Sequence, residues 1–394
     1  MTGRAERAAA LVRPEVRDLS LYSLHQVDAR YKLDQNEAPW DLPRSLKREA
    51  LARLADRPWS EYPDFHADRL RRLIGELHGW PMEGVLVGNG SGELITTVLE
   101  GVVRPGQEVL ICDPSFSPYR TFVGRAAGVP RHLPPAPDLG LQMDELQAEV
   151  ERDPRRPVLL CTPNNPTGAA ADPEAVEHLA RSLDAALLLD NAYGEFCRHD
   201  YRPLVRANPN VILFRTLSKA WSLGGIRLGY LLAAPELVAQ LIKVKLAYNV
   251  GHAAATIGEV VVEHADRFPR RVAVVRGRRK QWASMLREFG FEVFESEANF
   301  LLARHPRCSE IRDGLAAAGV LVRDVSRYPG LNGCMRIGIG AGPALRATRR
   351  ALAGMLRVLD EGDGPEAGAS RRMPAGATAH PVSAAQASGG GGKR

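Results

Sequence analysis

A chain of 394 residues with 45% hydrophobic and 25% charged side chains has the composition of an ordinary soluble globular protein. At about 100–200 residues per domain, that length predicts two domains, each able to bury its own core. The net charge of +6 comes largely from dispersed arginines; it leans weakly towards anionic ligands and does not by itself indicate nucleic acid. Five scattered cysteines without a CxxC fit a reducing compartment and exclude a disulfide framework or a thiolate metal site. No run approaches the ~18 apolar residues of a membrane helix, and the first residues lack the apolar region of a signal peptide. The expectation is a soluble, cytoplasmic protein.

Residues 1–30 are mixed and arginine-rich and read as an N-terminal arm. The polar stretch Leu33 to Trp40 is a loop with a possible site role. Helices are expected from about Arg44 to Leu54 and from about Ala67 to His78, the second with Leu70, Leu73, Ile74 and Leu77 along one side. Val85-Leu86-Val87 is a short strand that leads into Gly88-Asn89-Gly90-Ser91-Gly92-Glu93, where glycines let main-chain amides approach an anion at the start of a helix running to about Val102. The spacing is neither a GxGxxG nor a GK[ST] fingerprint. Strands follow at Glu108–Cys112, Val158–Cys161, Ala186–Leu189 and Val211–Phe214. These near-continuous apolar runs alternate with helical patterns, which predicts an α/β fold of three layers, with a mostly parallel sheet between helices. Long helices fill Pro235 to Arg287, and the basic run Arg267 to Lys280 reads as a solvated helix face. Strand-like segments at Phe291–Phe294, Phe300–Ala303, Val320–Arg323 and Cys334–Ile339, with helices near 309–318 and 343–359, predict a smaller second domain. The boundaries are 1–30 for the arm, 56–265 for the large sheet domain, 31–55 with 266–360 for the small domain, and 361–394 for a Gly/Ala/Ser/Pro-rich tail expected to be disordered.

The unusual polar clusters all fall at the C-terminal ends of the expected strands, where ligands bind in such sheets. Lys219 stands just past Val211–Phe214, flanked by Thr216 and Ser218 and followed by Arg227. A lone lysine would be a surface residue, but an amine beside hydroxyls and a cation suits a carbonyl cofactor that also carries a phosphate. The expected cofactor is pyridoxal 5'-phosphate, with Lys219 as its Schiff-base lysine. Asp190 is placed to keep the pyridine nitrogen protonated, although a turn aspartate would look the same in isolation. Asn165 and Tyr193 can donate to the phenolate oxygen. The Gly90-Ser91-Gly92 turn, Ser218 and Arg227 can hold the phosphate, and Phe116 can stack on the ring or be plain core. Arg227 and partial desolvation are expected to favour the neutral amine that Lys219 needs for proton transfer. No HExxH, no histidine ligand spacing and no GxSxG elbow appear, so metal-assisted and triad hydrolysis lack an anchor.

Asn165-Pro166-Thr167-Gly168, Asp190 with Ala192-Tyr193, and Ser218-Lys219 with Arg227 resemble the class I/II PLP-dependent aminotransferases of fold type I. Further matches lie at Leu33-Asp34, Asn36-Glu37, Pro39, Tyr62-Pro63-Asp64, Gly88 to Ile95, Thr216 to Ala220 and Cys334-Met335-Arg336-Ile337. Within that family the chain is similar to the histidinol-phosphate aminotransferases, over about residues 15–360. The resemblance implies an aspartate-aminotransferase-like fold with a seven-stranded sheet. It also implies a homodimer with shared active sites, in which Tyr62 reaches the cofactor phosphate of the neighbouring subunit. Arg336 would be the substrate anion clamp, with Arg323 a second cation, Asn36 a further contact and Tyr22 a residue of a lid. Four positions depart from the family pattern: Gly92 where Asp is usual, Phe116 for Tyr, Asn191 for Glu, and Gln35 for Asn or Lys.

The expected reaction is transamination between histidinol phosphate and 2-oxoglutarate, in histidine biosynthesis. An aminotransferase for aromatic or other amino acids on the same scaffold is the alternative, followed by a PLP-dependent decarboxylase of a phosphorylated amino acid. A non-catalytic regulator built on this fold fits less well, because Asp190, Tyr193, Lys219 and Arg227 are all present and no DNA-binding segment precedes the sheet.

Overall fold

The computed structural model describes residues 2–17 and 28–362; Tyr22 and the tail beyond 362 lie outside them. In chain order the strands are β1 Tyr31–Lys32, β2 Val85–Gly88, β3 Glu108–Cys112, β4 Val129–Leu133, β5 Val158–Cys161, β6 Leu187–Asp190, β7 Val211–Thr216, β8 Gly229–Leu232, β9 Glu292–Val293, β10 Phe300–Arg304, β11 Val320–Leu321, β12 Arg323–Asp324 and β13 Cys334–Gly338.

Seven of them form one sheet in the order β2-β8-β7-β6-β5-β3-β4. Every residue of β2, β5, β6, β7 and β8 is buried. That burial is why these segments read as near-continuous apolar runs: helices cover both faces, and polar residues enter only at the strand ends, Asp190 in β6 and Arg215-Thr216 in β7. β3, β4, β5, β6 and β7 run parallel, while β8 is antiparallel to both β7 and β2. Register places Asp190 beside Phe214 and Thr216 beside Gly229, so the C-terminal ends of β6 and β7 open at the same level. Separate apolar clusters fill the two sides of the sheet, one around Leu70, Val158 and Leu213, the other around Leu94, Tyr119 and Phe214.

A second sheet has the order β12-β13-β10-β9, all antiparallel, and β1 pairs in parallel with β11. The helix Pro269–Glu288 carries the basic run and links the two parts of the molecule. Its buried Trp282 donates from Nε1 to Gly340 O at 3.3 Å. In the N-terminal segment Arg13 donates to Arg125 O at 3.0 Å. It thereby satisfies a carbonyl at the C-terminal end of the helix Pro118–Arg125, where a cation also suits the helix dipole.

Candidate active site

The loops after β2, β3, β5, β6 and β7 surround a cleft of about 460 Å³, closed from the other side by residues 34–36, Arg323, Tyr328 and Arg336. Lys219 sits on its floor because the turn after β7 is tied down. The Ser218 N–H donates to Thr216 Oγ1 at 3.1 Å, Thr216 Oγ1 donates to Leu228 O at 3.4 Å, and the Leu217 N–H donates to Leu228 O at 2.9 Å. Thr216 therefore holds the turn, with its proton already committed. Lys219 Nζ donates to Gln35 O at 2.8 Å, a main-chain contact indifferent to the Gln35 side chain. Burial, and next the Arg336 guanidinium, lower the Lys219 pKa to about 8, with Glu37 opposing and Arg227 adding less than Arg336. Burial and Arg227 both act in the expected direction, and β13 adds Arg336, distant in sequence, as a larger charge than Arg227.

Asp190 ends β6 and is 5% exposed. Tyr119 donates from its hydroxyl to Asp190 Oδ2 at 2.6 Å, and the Ala192 N–H donates to Oδ1 at 3.1 Å. Burial raises the carboxyl's pKa, while these two bonds and Lys219 pull it down. Tyr119 carries no motif signature in the sequence, yet its hydroxyl holds this carboxylate. Three residues on from Phe116, and one past Pro118 at the start of a helix, it turns inward and is 1% exposed. Phe116 meets it edge-on at 5.5 Å and lines the cleft.

Tyr193 Oη accepts from Asn36 Nδ2 at 3.0 Å, and Lys219 Nζ lies 6.0 Å from the Tyr193 ring centre. Asn36 has φ +54°, in the left-handed region, and is 1% exposed; its carbonyl is held by Asn299 Nδ2 at 2.9 Å. A non-glycine residue fixed in that conformation is typical of functional loops. Asn165 Oδ1 accepts from Arg336 Nη1, and Arg336 Nη2 donates to Asp34 O. With its oxygen occupied, what Asn165 can offer a ligand is its amide N–H.

The turn after β2 makes an anion cradle. Gly90 has φ +85° at the start of the helix Ser91–Val102. A Cβ at Gly90 would lie 2.8 Å from Arg227 Nη2, and one at Gly229 would lie 2.5 Å from Ser91 N. Arg227, itself at φ +60°, donates from Nη1 to Ser218 Oγ at 3.3 Å and to Gly224 O at 3.2 Å. A guanidinium and a helix N-terminus thus converge where only glycine leaves room. A Cβ at Gly92 would meet Phe122 Cζ at 3.3 Å, so a larger side chain there crowds Phe122.

Asn191, one of the four departures from the family pattern, accepts from Arg215 Nη1 at 3.1 Å and donates to Thr162 O at 2.6 Å. Arg323 and Arg336 are register partners on β12 and β13 and line the same cleft. Tyr328, also unassigned from sequence, donates to Ser117 Oγ at 3.0 Å beside them. Tyr62 is not brought to this cleft; it is 80% exposed and packs on Tyr248 with ring centres 4.7 Å apart. Among the described residues no cluster could hold a metal ion, and no helix is long and apolar enough to cross a membrane.

The sequence profile of the family described as aminotransferase class I and II matches residues 30–354. The histidinol-phosphate aminotransferase of Deinococcus radiodurans is 38% identical over 338 residues, covering 84% of this chain and 92% of that protein. That of Chlorobaculum parvum is 36% identical over 334 residues, covering 84% and 94%. The crystal structure of histidinol-phosphate aminotransferase from Sinorhizobium meliloti in complex with pyridoxal-5'-phosphate superimposes with a TM-score of 0.80 at 23% identity, covering 88% of this chain and 98% of that one. The chain belongs to the aminotransferase class I and II family.

Proposed function

We propose that this chain transfers the amino group of histidinol phosphate to 2-oxoglutarate, as a homodimer in the cytoplasm, with pyridoxal 5'-phosphate as cofactor. The observation that carries the reading is the pair Arg323 and Arg336 facing the same cleft as Lys219. The residues fit the cofactor. The glycine-lined cradle with Arg227, Ser218 and the Gly90-Ser91-Gly92 turn would hold its phosphate, Asp190 backed by Tyr119 would hold its ring nitrogen, Asn165 and Tyr193 would meet its phenolate oxygen, and Phe116 would cover its ring. Bound there, pyridoxal phosphate supplies a carbonyl that captures the amine and a ring that accepts the electron pair left by the α-proton.

Lys219 Nζ carries that proton. With a pKa of about 8, it has a neutral fraction at physiological pH that an ordinary lysine lacks, as a general base requires. Asp190, oriented by the Tyr119 hydroxyl, would favour a protonated ring nitrogen set against it. Histidinol phosphate bears a phosphate where an amino acid bears its carboxylate. Two guanidinium groups can clamp that dianion by charge-assisted bonds and later receive the carboxylates of glutamate. Asn36, which donates to the Tyr193 hydroxyl, would be a further substrate contact. Tyr62, exposed on its own subunit, is offered to the cofactor phosphate of the partner's site, and the relatives' names support the choice of donor. The test is Arg323→Ala: kcat/KM for histidinol phosphate should fall further than that for glutamate, and an equal loss for both would remove the phosphate role of Arg323.

A further inference from the structure

A set of polar side chains, buried or nearly so, joins the three loops that carry Asn165, Asp190 with Tyr193, and Lys219. Asn191 directly follows Asp190, Glu195 is two residues past Tyr193, Trp221 is two residues past Lys219, and Arg215 lies near the end of β7. Their bonds run in series. Asn191 Nδ2 donates to Thr162 O at 2.6 Å, three residues before Asn165, and Asn191 Oδ1 accepts from Arg215 Nη1 at 3.1 Å. Arg215 Nη2 lies 2.7 Å from Glu195 Oε1, and the same oxygen accepts from Trp221 Nε1 at 2.9 Å. The loops after β5, β6 and β7 are thereby tied together by side chains as well as by the sheet.

The local sequence suits this path. A Cβ at Gly194 would lie 2.0 Å from Asn191 Oδ1, so glycine is what lets Asn191 turn back onto Arg215. A carboxylate at 191 could accept from Arg215 but could not donate to Thr162 O. The departure from the family pattern at this position thus supplies the N–H that ties in the β5 loop. Arg215 and Glu195 expose 9% and 12% of their side chains. A buried ion pair contributes little net stability, because desolvation offsets the attraction. This one fixes the oxygen that receives Trp221.

The far side of the Lys219 turn needs a hold from outside. Past Lys219 the turn closes through the Ser222 N–H on Lys219 O, a long bond at 3.4 Å, and the Leu223 N–H on Leu217 O at 3.0 Å. Ser222 stands at φ +58°, a left-handed conformation that a non-glycine residue keeps where its surroundings impose it. Arg271 Nη1 reaches Ser222 Oγ at 3.4 Å from the helix Pro269–Glu288, and Trp221 packs on Phe268 with ring centres 4.9 Å apart. Firmer than either is the Trp221 N–H on the Glu195 carboxylate, a charge-assisted bond.

We propose that Glu195 is a positioning residue of the reaction: through the Trp221 N–H it fixes the turn of Lys219 against the loop of Asp190 and Tyr193, with Arg215 and Asn191 holding Glu195 itself in place. The proposal rests on Lys219 being the residue that carries the cofactor.

Trp221→Phe tests it, because the ring against Phe268 and the Glu195–Arg215 pair are kept and the N–H is lost. In the cofactor-free protein, capture of pyridoxal by Lys219 is followed by the visible absorbance of the adduct, with Lys219→Ala as the blank for other lysines. Capture should slow about tenfold at pH 7 and match wild type above about pH 10. An amine released from its buried position regains water, so its pKa returns from about 8 towards the ordinary 10.5. In the loaded enzyme, a single turnover with L-glutamate should slow about tenfold and show a larger effect of deuterium at Cα, because proton transfer by Lys219 becomes the slower step. The glutamate concentration giving half the maximal rate should stay within about twofold of wild type. A general loss of stability moves neither the pH dependence of capture nor the isotope effect. Glu195→Asp keeps the charge beside Arg215 and shortens the reach to Trp221; it should give the same two changes, and it carries the test if Trp221→Phe does not fold. Wild-type capture and isotope effects in both variants would overturn the proposal. Failure of the wild-type protein to capture pyridoxal at all would remove the cofactor role of Lys219, and the proposal with it.

Discussion

Replacing Lys219 with methionine should stabilise the cofactor-free protein at neutral pH, because the site holds an ammonium in a place that disfavours it. Folding lowers the Lys219 pKa from the ordinary 10.5 to about 8. At about 1.4 kcal/mol per pKa step of one, carrying that charge costs the folded state about 3 kcal/mol wherever both states are protonated. Methionine keeps the length and apolar stem but loses the bond to Gln35 O, which returns about 1 kcal/mol to the debit side. The net gain is about 2 kcal/mol below pH 8. The sign follows from proton counting: between pH 8 and 10.5 the unfolded chain binds more protons than the folded one, so wild-type stability rises with pH and the advantage of Lys219→Met disappears by pH 10.5. For a chain of this length the gain corresponds to about 2–3 °C in Tm. Thermal unfolding of both proteins, cofactor-free and at equal concentration, at pH 7 and at pH 10, measures it. A variant less stable than wild type at pH 7, or a difference that does not change with pH, would refute the reasoning.

Two further substitutions probe the neighbours of the lysine. Tyr119→Phe removes the 2.6 Å bond to Asp190 Oδ2; hydrogen bonds to charged groups contribute about 1.5–3 kcal/mol, so cofactor affinity and kcat should fall about 10- to 100-fold while Tm changes little. A titration of cofactor into the variant that matches wild type would contradict the link. Gly229→Ala puts a methyl 2.5 Å from Ser91 N and 2.6 Å from Gly90 C, both main-chain atoms that cannot swing aside. Overpacking of this kind costs about 1–3 kcal/mol, and the anion cradle should lose at least about tenfold in cofactor affinity, read from the concentration that restores activity.

The buried strands were legible because both their faces are covered. β5, β6 and β7 show no polar alternation to hide them, and their ends carry Asn165, Asp190 and Lys219 in readable order. β4 was not legible: it is an edge strand paired only with β3, and Pro130, Arg131 and His132 interrupt its apolar pattern as an edge permits. β8 was not legible: it opens on Gly229, a residue depleted in strands, and ends at Leu232. The stretch Val320–Arg323 reads as one strand but serves two partners, β11 with β1 and β12 with β13, and that division is what turns Arg323 towards Arg336. Tyr119 and Tyr328 are not legible in the sequence because a tyrosine on a helix or loop has no local signature until its hydroxyl finds a partner. The Lys219 environment was only half legible, since Arg336 acts on it from more than a hundred positions away in the chain.

Comparison of kcat/KM for histidinol phosphate and for phenylalanine as amino donors to 2-oxoglutarate, on the purified holoenzyme, tests the central claim most directly. The paired guanidinium groups of Arg323 and Arg336 lead to a clear preference for the phosphate-bearing donor, of at least about tenfold if the phosphate makes even one charge-assisted contact that the carboxylate does not. Equal use of the two donors, or a preference for phenylalanine, would contradict it.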